Sequence, residues 1–211
     1  MLTISNKGKL MPESPIRKLV PYAERAKKKG VRVFHLNIGQ PDIETPPSAM
    51  DAVRNSDIKV LAYSKSEGDF ELRNKISDYY SKINIHIDES QVIVTSGASE
   101  ALLFTIGSIM DPDDEVIIPE PFYANYNGFS AANGVNIVPI FSSIENNFEL
   151  PKIQEFERLI TPKTKAILIC NPNNPTGYVY SHNEIKTLVD IVKKHNLYLI
   201  ADEVYREFTY N

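Results

Sequence analysis

The strongest constraint on this chain is a rhythm. Short apolar runs rich in isoleucine and valine alternate with stretches of helical spacing. Gln91-Val-Ile-Val-Thr95 reads as a buried strand and Ser99 to Met110 as a helix. Glu115-Val-Ile-Ile118 reads as a strand, Tyr123 to Asn133 as a helix closed by Gly134, and Asn136-Ile-Val-Pro-Ile140 as a strand. Pro151 to Ile160 is a short helix, Lys165-Ala-Ile-Leu-Ile-Cys170 a strand, Ser181 to His195 a helix and Leu197-Tyr-Leu-Ile-Ala201 a strand. Strands buried on both faces lose the polar alternation of a half-exposed sheet, and helices between them return the chain in parallel. The predicted fold class is α/β, a mostly parallel sheet with helices on both faces.

The flanks are read the same way. Residues 1–14 are polar and without period, which predicts an arm. Ile16 to Lys29 has helical spacing, with Gly30 as its stop. The Lys27-Lys28-Lys29 run fits cations favouring a helix C-terminus better than a nucleic-acid patch. Val33 to Ile38 is a short apolar stretch ending at Gly39. Ser181 and Glu184 have the spacing of a capping box. After Ala201 only Asp202 to Asn211 follow, with no helix to cover the last strand. The expectation is a chain that is part of a larger α/β domain.

Composition narrows the function classes. A chain of 211 residues can bury a core without disulfides or a metal. Its 23 Lys+Arg against 27 Asp+Glu, a net charge of −4, argue against nucleic acid or an anionic membrane as main partner. The single cysteine, Cys170, excludes an internal disulfide and a cysteine zinc cluster, and it fits a reducing cytosol. No run reaches the roughly 18 apolar residues of a membrane span, and no secretory h-region opens the sequence. The four histidines, His35, His86, His182 and His195, lack metal-ligand spacing.

The glycine-rich fingerprints of dinucleotide and P-loop binding are absent, as are H-E-x-x-H and G-x-S-x-G. Four other segments stand at expected strand ends. Thr95-Ser96-Gly97-Ala98-Ser99-Glu100-Ala101 is a small-residue turn opening a helix, whose free N–H groups and serine hydroxyl suit an anion. It also suits an ordinary βα turn with Ser99 as N-cap. Pro119-Glu-Pro-Phe-Tyr-Ala-Asn-Tyr126 puts aromatics at the edge where α/β folds hold ligands. Tyr123 could stack on a flat ring or fill the core. Cys170-Asn-Pro-Asn-Asn-Pro-Thr-Gly177 is a rigid turn carrying three amides. Asp202 and Tyr205 of Ala201-Asp-Glu-Val-Tyr205 could reach one ligand, or serve as a cap and a solvated acid.

Taken together, these segments resemble the class I/II aminotransferases of the aspartate aminotransferase type, which are fold-type I pyridoxal-phosphate enzymes. The Asn171–Gly177 and Asp202–Tyr205 segments carry the most specific part of the likeness, which spans essentially the whole chain. Ile38-Gly39-Gln-Pro-Asp42 and Tyr63-Ser-Lys-Ser-Glu-Gly68 with Leu72-Arg73 are similar to two further segments of that family.

The resemblance implies that Gly97, Ala98 and Ser99 hold the cofactor phosphate. It implies that Tyr123 stacks on the pyridine ring and that Asn174 and Tyr205 bond its 3′ oxygen. Asp202 would keep the ring nitrogen protonated, making the ring a better electron sink. Tyr63 would reach the phosphate of a neighbouring subunit, and Gly39 would lie near the substrate carboxylate. The cofactor would be pyridoxal 5'-phosphate, the substrates an amino acid and a 2-oxo acid, and the full protein a cytoplasmic homodimer.

The family's Schiff-base lysine is expected beyond Asn211, so the chain as written is expected not to transaminate. Lys65, Lys82, Arg17 and Arg73 are read as surface or structural residues. The implied division is an N-terminal arm and part of a small domain over 1–45, and an incomplete cofactor-binding large domain over 46–211. A lyase of the same fold and a silent fragment are the other readings. A nucleotide-binding protein is disfavoured by the missing fingerprints.

Overall fold

The computed structural model describes residues 2–39 and 41–210. Met1, Asn211 and Gln40 of the Ile38–Asp42 segment lie outside the described residues. In chain order the elements begin with α1 (Asn6–Leu10), α2 (Val20–Lys28), α3 (Pro47–Arg54), α4 (Phe70–Ser81) and α5 (Ala98–Ile109). They continue with β1 (Glu115–Glu120), α6 (Tyr126–Asn133), β2 (Asn136–Phe141), α7 (Ile153–Leu159), β3 (Thr164–Cys170), α8 (His182–His195) and β4 (Tyr198–Asp202). These elements fall into two compact units, residues 16–95 and residues 1–15 with 96–211.

The larger unit holds a four-stranded sheet of order β2-β1-β3-β4. Every pairing in it is parallel. Residue parity along the strands then sorts the core, because successive side chains point to opposite faces. Val116, Ile118, Ala166, Leu168 and Cys170 pack with Leu102 and Ile106 of α5 and Tyr126 of α6. Ile117, Ile167 and Ile169 pack on the other face with Phe156 of α7 and Leu188, Ile191 and Val192 of α8. Helices therefore cover both faces, as the run of apolar residues requires. Ala166, Ile167 and Leu168 are wholly buried, which explains why β3 shows no polar alternation.

Helix ends follow local chemistry. α8 starts at a capping box in which the Ser181 hydroxyl accepts from Glu184 N and the Glu184 side chain accepts from Ser181 N. Gly134, in the left-handed region at φ 74°, closes α6. α6 starts at Tyr126 rather than Tyr123, because Pro121 to Asn125 form a loop that precedes it. The polar arm contains one short helix, α1, and the Lys7 ammonium donates to Ala132 O at the end of α6 at 3.2 Å.

In the smaller unit, α2 grows out of a 3-10 turn at Arg17–Leu19, and Gly30 at φ 76° follows its end. Asp69 caps α4 by accepting from Leu72 N at 2.9 Å. Arg73 is buried, donating to Glu89 O at 2.7 Å and pairing with Glu67 at 3.4 Å, a structural role.

The strand expected over Gln91 to Thr95 is not formed. Gln91 ends a 3-10 turn, and Val92 to Thr95 run without a ladder. Val94 N–H bonds Glu67 O at 3.0 Å, while Ile93 is 69% exposed. A short apolar run has no conformation of its own; a neighbouring strand must supply the ladder.

Candidate active site

The C-terminal ends of the parallel strands gather the motif segments of the larger unit. Parallel register brings Cys170 opposite Asp202, and the following amide, Asn171 N–H, donates to Asp202 O at 2.9 Å. Thus the first residue of the turn after β3 is held to the last residue of β4.

The three asparagines of the turn divide the work. Asn171 accepts from Tyr180 N at 3.0 Å, tying the far end of the turn back to its start. Asn173 is buried and accepts from Thr176 N at 3.1 Å and Thr176 Oγ1 at 2.9 Å. Gly177 takes φ 74°, where a side chain is disfavoured. Asn174 is the amide left to face a cavity.

That cavity, of about 270 Å³, is lined by Ala98, Ser99, Tyr123, Cys170, Asn174, Asp202 and Tyr205, with Leu102 and Val204. Six of the expected site residues meet there. Gly97 immediately precedes them as the N-cap of α5 at φ 83°, ψ 172°. The first turn of α5 directs unsatisfied backbone N–H groups outward, and an anion is stabilised at such an end. This site does not follow a regular strand, in contrast to the expectation, because residues 92–95 are not one. Gly39 and Tyr63 belong to the smaller unit and are not among the lining residues; Tyr63 is fully exposed.

Asp202 is held on both oxygens. Oδ2 accepts from the Tyr126 hydroxyl at 2.8 Å, and Oδ1 accepts from Val204 N at 3.2 Å. Tyr126 is wholly buried. Burial first, then Cys170 and Asp202 nearby, hold its phenol far above the ordinary range, so it stays an O–H donor. The Tyr123 hydroxyl accepts from Asn125 Nδ2 at 2.6 Å, and its ring meets that of Tyr126 edge-on at 5.5 Å. Burial pushes the Cys170 thiol upward too.

Sequence reasoning missed the work of Tyr126 and Asn125. Both stand in the Pro119–Tyr126 segment, and the three-residue step from Tyr123 to Tyr126 was the available signal. Among the described residues no cluster of metal-ligating side chains occurs, and no helix is long and apolar enough to cross a membrane.

A helix N-terminus, a carboxylate, an amide and two phenols line one concave site at the strand ends, the edge where α/β folds place ligands. The chain belongs to the aminotransferase class I and II family, which it matches over residues 31–211. It is 40% identical over 208 residues to an aspartate aminotransferase of Thermotoga maritima, covering 94% of this chain and 54% of that protein. It is 32% identical over 216 residues to an asparagine–oxo-acid transaminase of Streptococcus mutans, covering 100% of this chain and 54% of that protein. Among solved structures, an alanine aminotransferase of Pyrococcus furiosus superposes with a TM-score of 0.90 at 33% identity, over 99% of this chain and 54% of that one. The chain spans about half the length of the relatives it matches.

Proposed function

We propose that these 211 residues form the cofactor cradle of a pyridoxal-phosphate-dependent aminotransferase that moves an amino group from an amino acid to a 2-oxo acid. The observation that carries this reading is the convergence of Ser99, Tyr123, Asn174, Asp202 and Tyr205 on one cavity. The donor set suits a phosphorylated hydroxypyridine: a helix N-terminus for the phosphate, a carboxylate for a protonated ring nitrogen, and an amide with a phenol for a ring oxygen. When bound, pyridoxal phosphate supplies an electron sink for the charge left at Cα after proton loss.

In this reading the Ala98 and Ser99 N–H groups and the Ser99 hydroxyl bind the phosphate, and Gly97 lets the turn approach it. Asp202 holds a proton on the ring nitrogen. Asn174 Nδ2 and the Tyr205 hydroxyl donate to the 3′ oxygen. Tyr123 covers one ring face and keeps water from it. Gly39 serves the substrate carboxylate, and the exposed Tyr63 reaches the phosphate of a second copy in a homodimer. Residues 1–45 belong to an arm and small domain of the parent, and 46–211 to its large domain. The one cysteine of these 211 residues, Cys170, forms no disulfide, which supports a cytoplasmic setting.

No lysine is among the residues that line the cavity. A polypeptide limited to these 211 residues is accordingly proposed to bind the cofactor without covalent attachment and not to transaminate. The test is saturable binding of pyridoxal phosphate to the purified chain, weakened about tenfold or more in D202N. Absence of saturable binding would remove the reading. A longer protein carrying these residues is then assayed with aspartate and a 2-oxo acid. Loss of aspartate that depends on the oxo acid supports transfer, whereas ammonia release without it makes the protein a lyase.

A further inference from the structure

Asp202 is the only carboxylate among the residues that line the cavity, and a carboxylate can serve a ring nitrogen only if its plane is fixed. Its two oxygens offer about four lone-pair positions. Val204 N–H takes one on Oδ1, a bond between neighbours in the chain that follows the local backbone. Tyr126 takes one on Oδ2, and it comes from another element, 76 residues away in sequence. Two positions remain for a ligand.

The donor itself cannot wander. The Tyr126 ring is wholly buried, lies nearly parallel to Phe122 at 6.1 Å, and meets the edge of Tyr123 at 5.5 Å. Phe122, Tyr123 and Cys170 belong to the same core cluster as Tyr126. A rotatable hydroxyl on an immobile ring fixes the direction of the bond to within the O–H rotor. The phenol also stays protonated, so it never competes with Asp202 for negative charge.

We propose that Tyr126 is a positioning residue: its hydroxyl sets the plane of the Asp202 carboxylate so that the remaining lone pairs face a protonated ring nitrogen in the cavity. This rests on the cofactor reading given above. The competing role is a plain structural tie between α6 and β4, which would hold the fold and treat every cavity ligand alike.

The two roles separate with a pair of probes, pyridoxal phosphate and its 1-deaza analogue, in which C–H replaces the ring nitrogen. Their dissociation constants are measured on the purified chain, on Y126F, on D202N and on the double variant. Wild type is expected to favour pyridoxal phosphate over the deaza analogue. Y126F keeps the buried ring, and its preference is expected to fall about tenfold. Its affinity for the deaza analogue is expected to stay within about twofold of wild type.

In D202N the preference is lost, and adding Y126F changes it no further. Folding of each variant is checked by its urea transition before binding is read. Loss of the folded state in Y126F, or equal loss of both probes in it, overturns the positioning role in favour of the structural tie. A wild-type chain without preference, or a D202N chain that retains it, overturns the assignment of Asp202 and the positioning role with it. A preference lost in D202N but kept in Y126F overturns the positioning role alone.

Discussion

Cys170 and Asp202 are register partners across β3 and β4, and the Asn171 amide donates to the Asp202 carbonyl at 2.9 Å. The pairing places a turn of three asparagines and a turn bearing a carboxylate and a phenol on one cavity wall. Cys170 itself is 3% exposed, within the core cluster on the α5 and α6 side of the sheet.

The first expected outcome concerns that thiol. The Cys170 Sγ donates to Pro172 O at 3.2 Å, and burial pushes its pKa up. The thiolate is the reactive form. A thiol reagent should therefore label the native chain slower than the denatured chain by about a hundredfold or more. Equal rates in buffer and in denaturant would show that this strand end is open.

Leu168 has no exposed surface and sits mid-strand between β1 and β4, facing the α5 and α6 side. Removing three carbons there leaves a void that the surrounding helices fill only in part. Leu168→Ala should lower unfolding stability by about 2–5 kcal/mol in a urea titration, with the slope unchanged. A loss below about 1 kcal/mol would mean that this side of the sheet is loosely packed.

Gly97 tests backbone strain separately from crowding. A Cβ built there meets nothing within 4 Å, so space is not the obstacle. Its φ of 83° with ψ 172° is a conformation that side-chain-bearing residues avoid. Gly97→Ala should cost about 1–3 kcal/mol. A neutral substitution in thermal melts would contradict that turn geometry.

Glu184 links stability to pH. Its side chain accepts from the Ser181 hydroxyl at 2.6 Å, from Ser181 N at 2.7 Å, from Leu150 N at 2.9 Å and from the Tyr178 hydroxyl at 3.0 Å. Burial raises its pKa, but these bonds, led by the Ser181 hydroxyl, outweigh it and leave the carboxyl below 4.5. Burial, then the Glu184 carboxylate, push the Tyr178 phenol up to about 12, so it remains a donor. A depressed folded pKa stabilises above the unfolded value and is lost as pH falls through the folded one. The urea midpoint of wild type should exceed that of E184Q above about pH 5, and the gap should shrink as pH falls below the ordinary carboxylate value of 4.5. A gap that is flat across that range would show that the carboxylate's charge contributes nothing.

Much of this was legible in one dimension. Apolar runs with nothing polar between them demanded a sheet buried twice, and β1, β2, β3 and β4 form where those runs stand. The Ser181 to Glu184 spacing gave the start of α8, because a capping box needs only neighbours in the chain. Gly134 gave the end of α6 for the same reason. Tyr123, Asp202 and Tyr205 were visible as candidates because parallel strands carry their turns to one edge, Ser99 because a small-residue turn opens a helix, and Asn174 through the family resemblance.

What needed the tertiary structure is what depends on partners far along the chain. Val92 to Thr95 have strand composition, but Val94 bonds Glu67 and no ladder forms. Nothing in the Asn-Pro repeats tells Asn173, turned inward to Thr176, from Asn174 in the cavity wall. Tyr126 looked like one more aromatic beside Tyr123, and only the folded chain brings its hydroxyl, at the start of α6, to Asp202 at the end of β4. Periodicity, caps and turn residues act over a few residues, and the sequence by itself determined those. The bond between Tyr126 and Asp202 was decided by packing, because the two lie 76 positions apart and the chain between them must fold before they can meet.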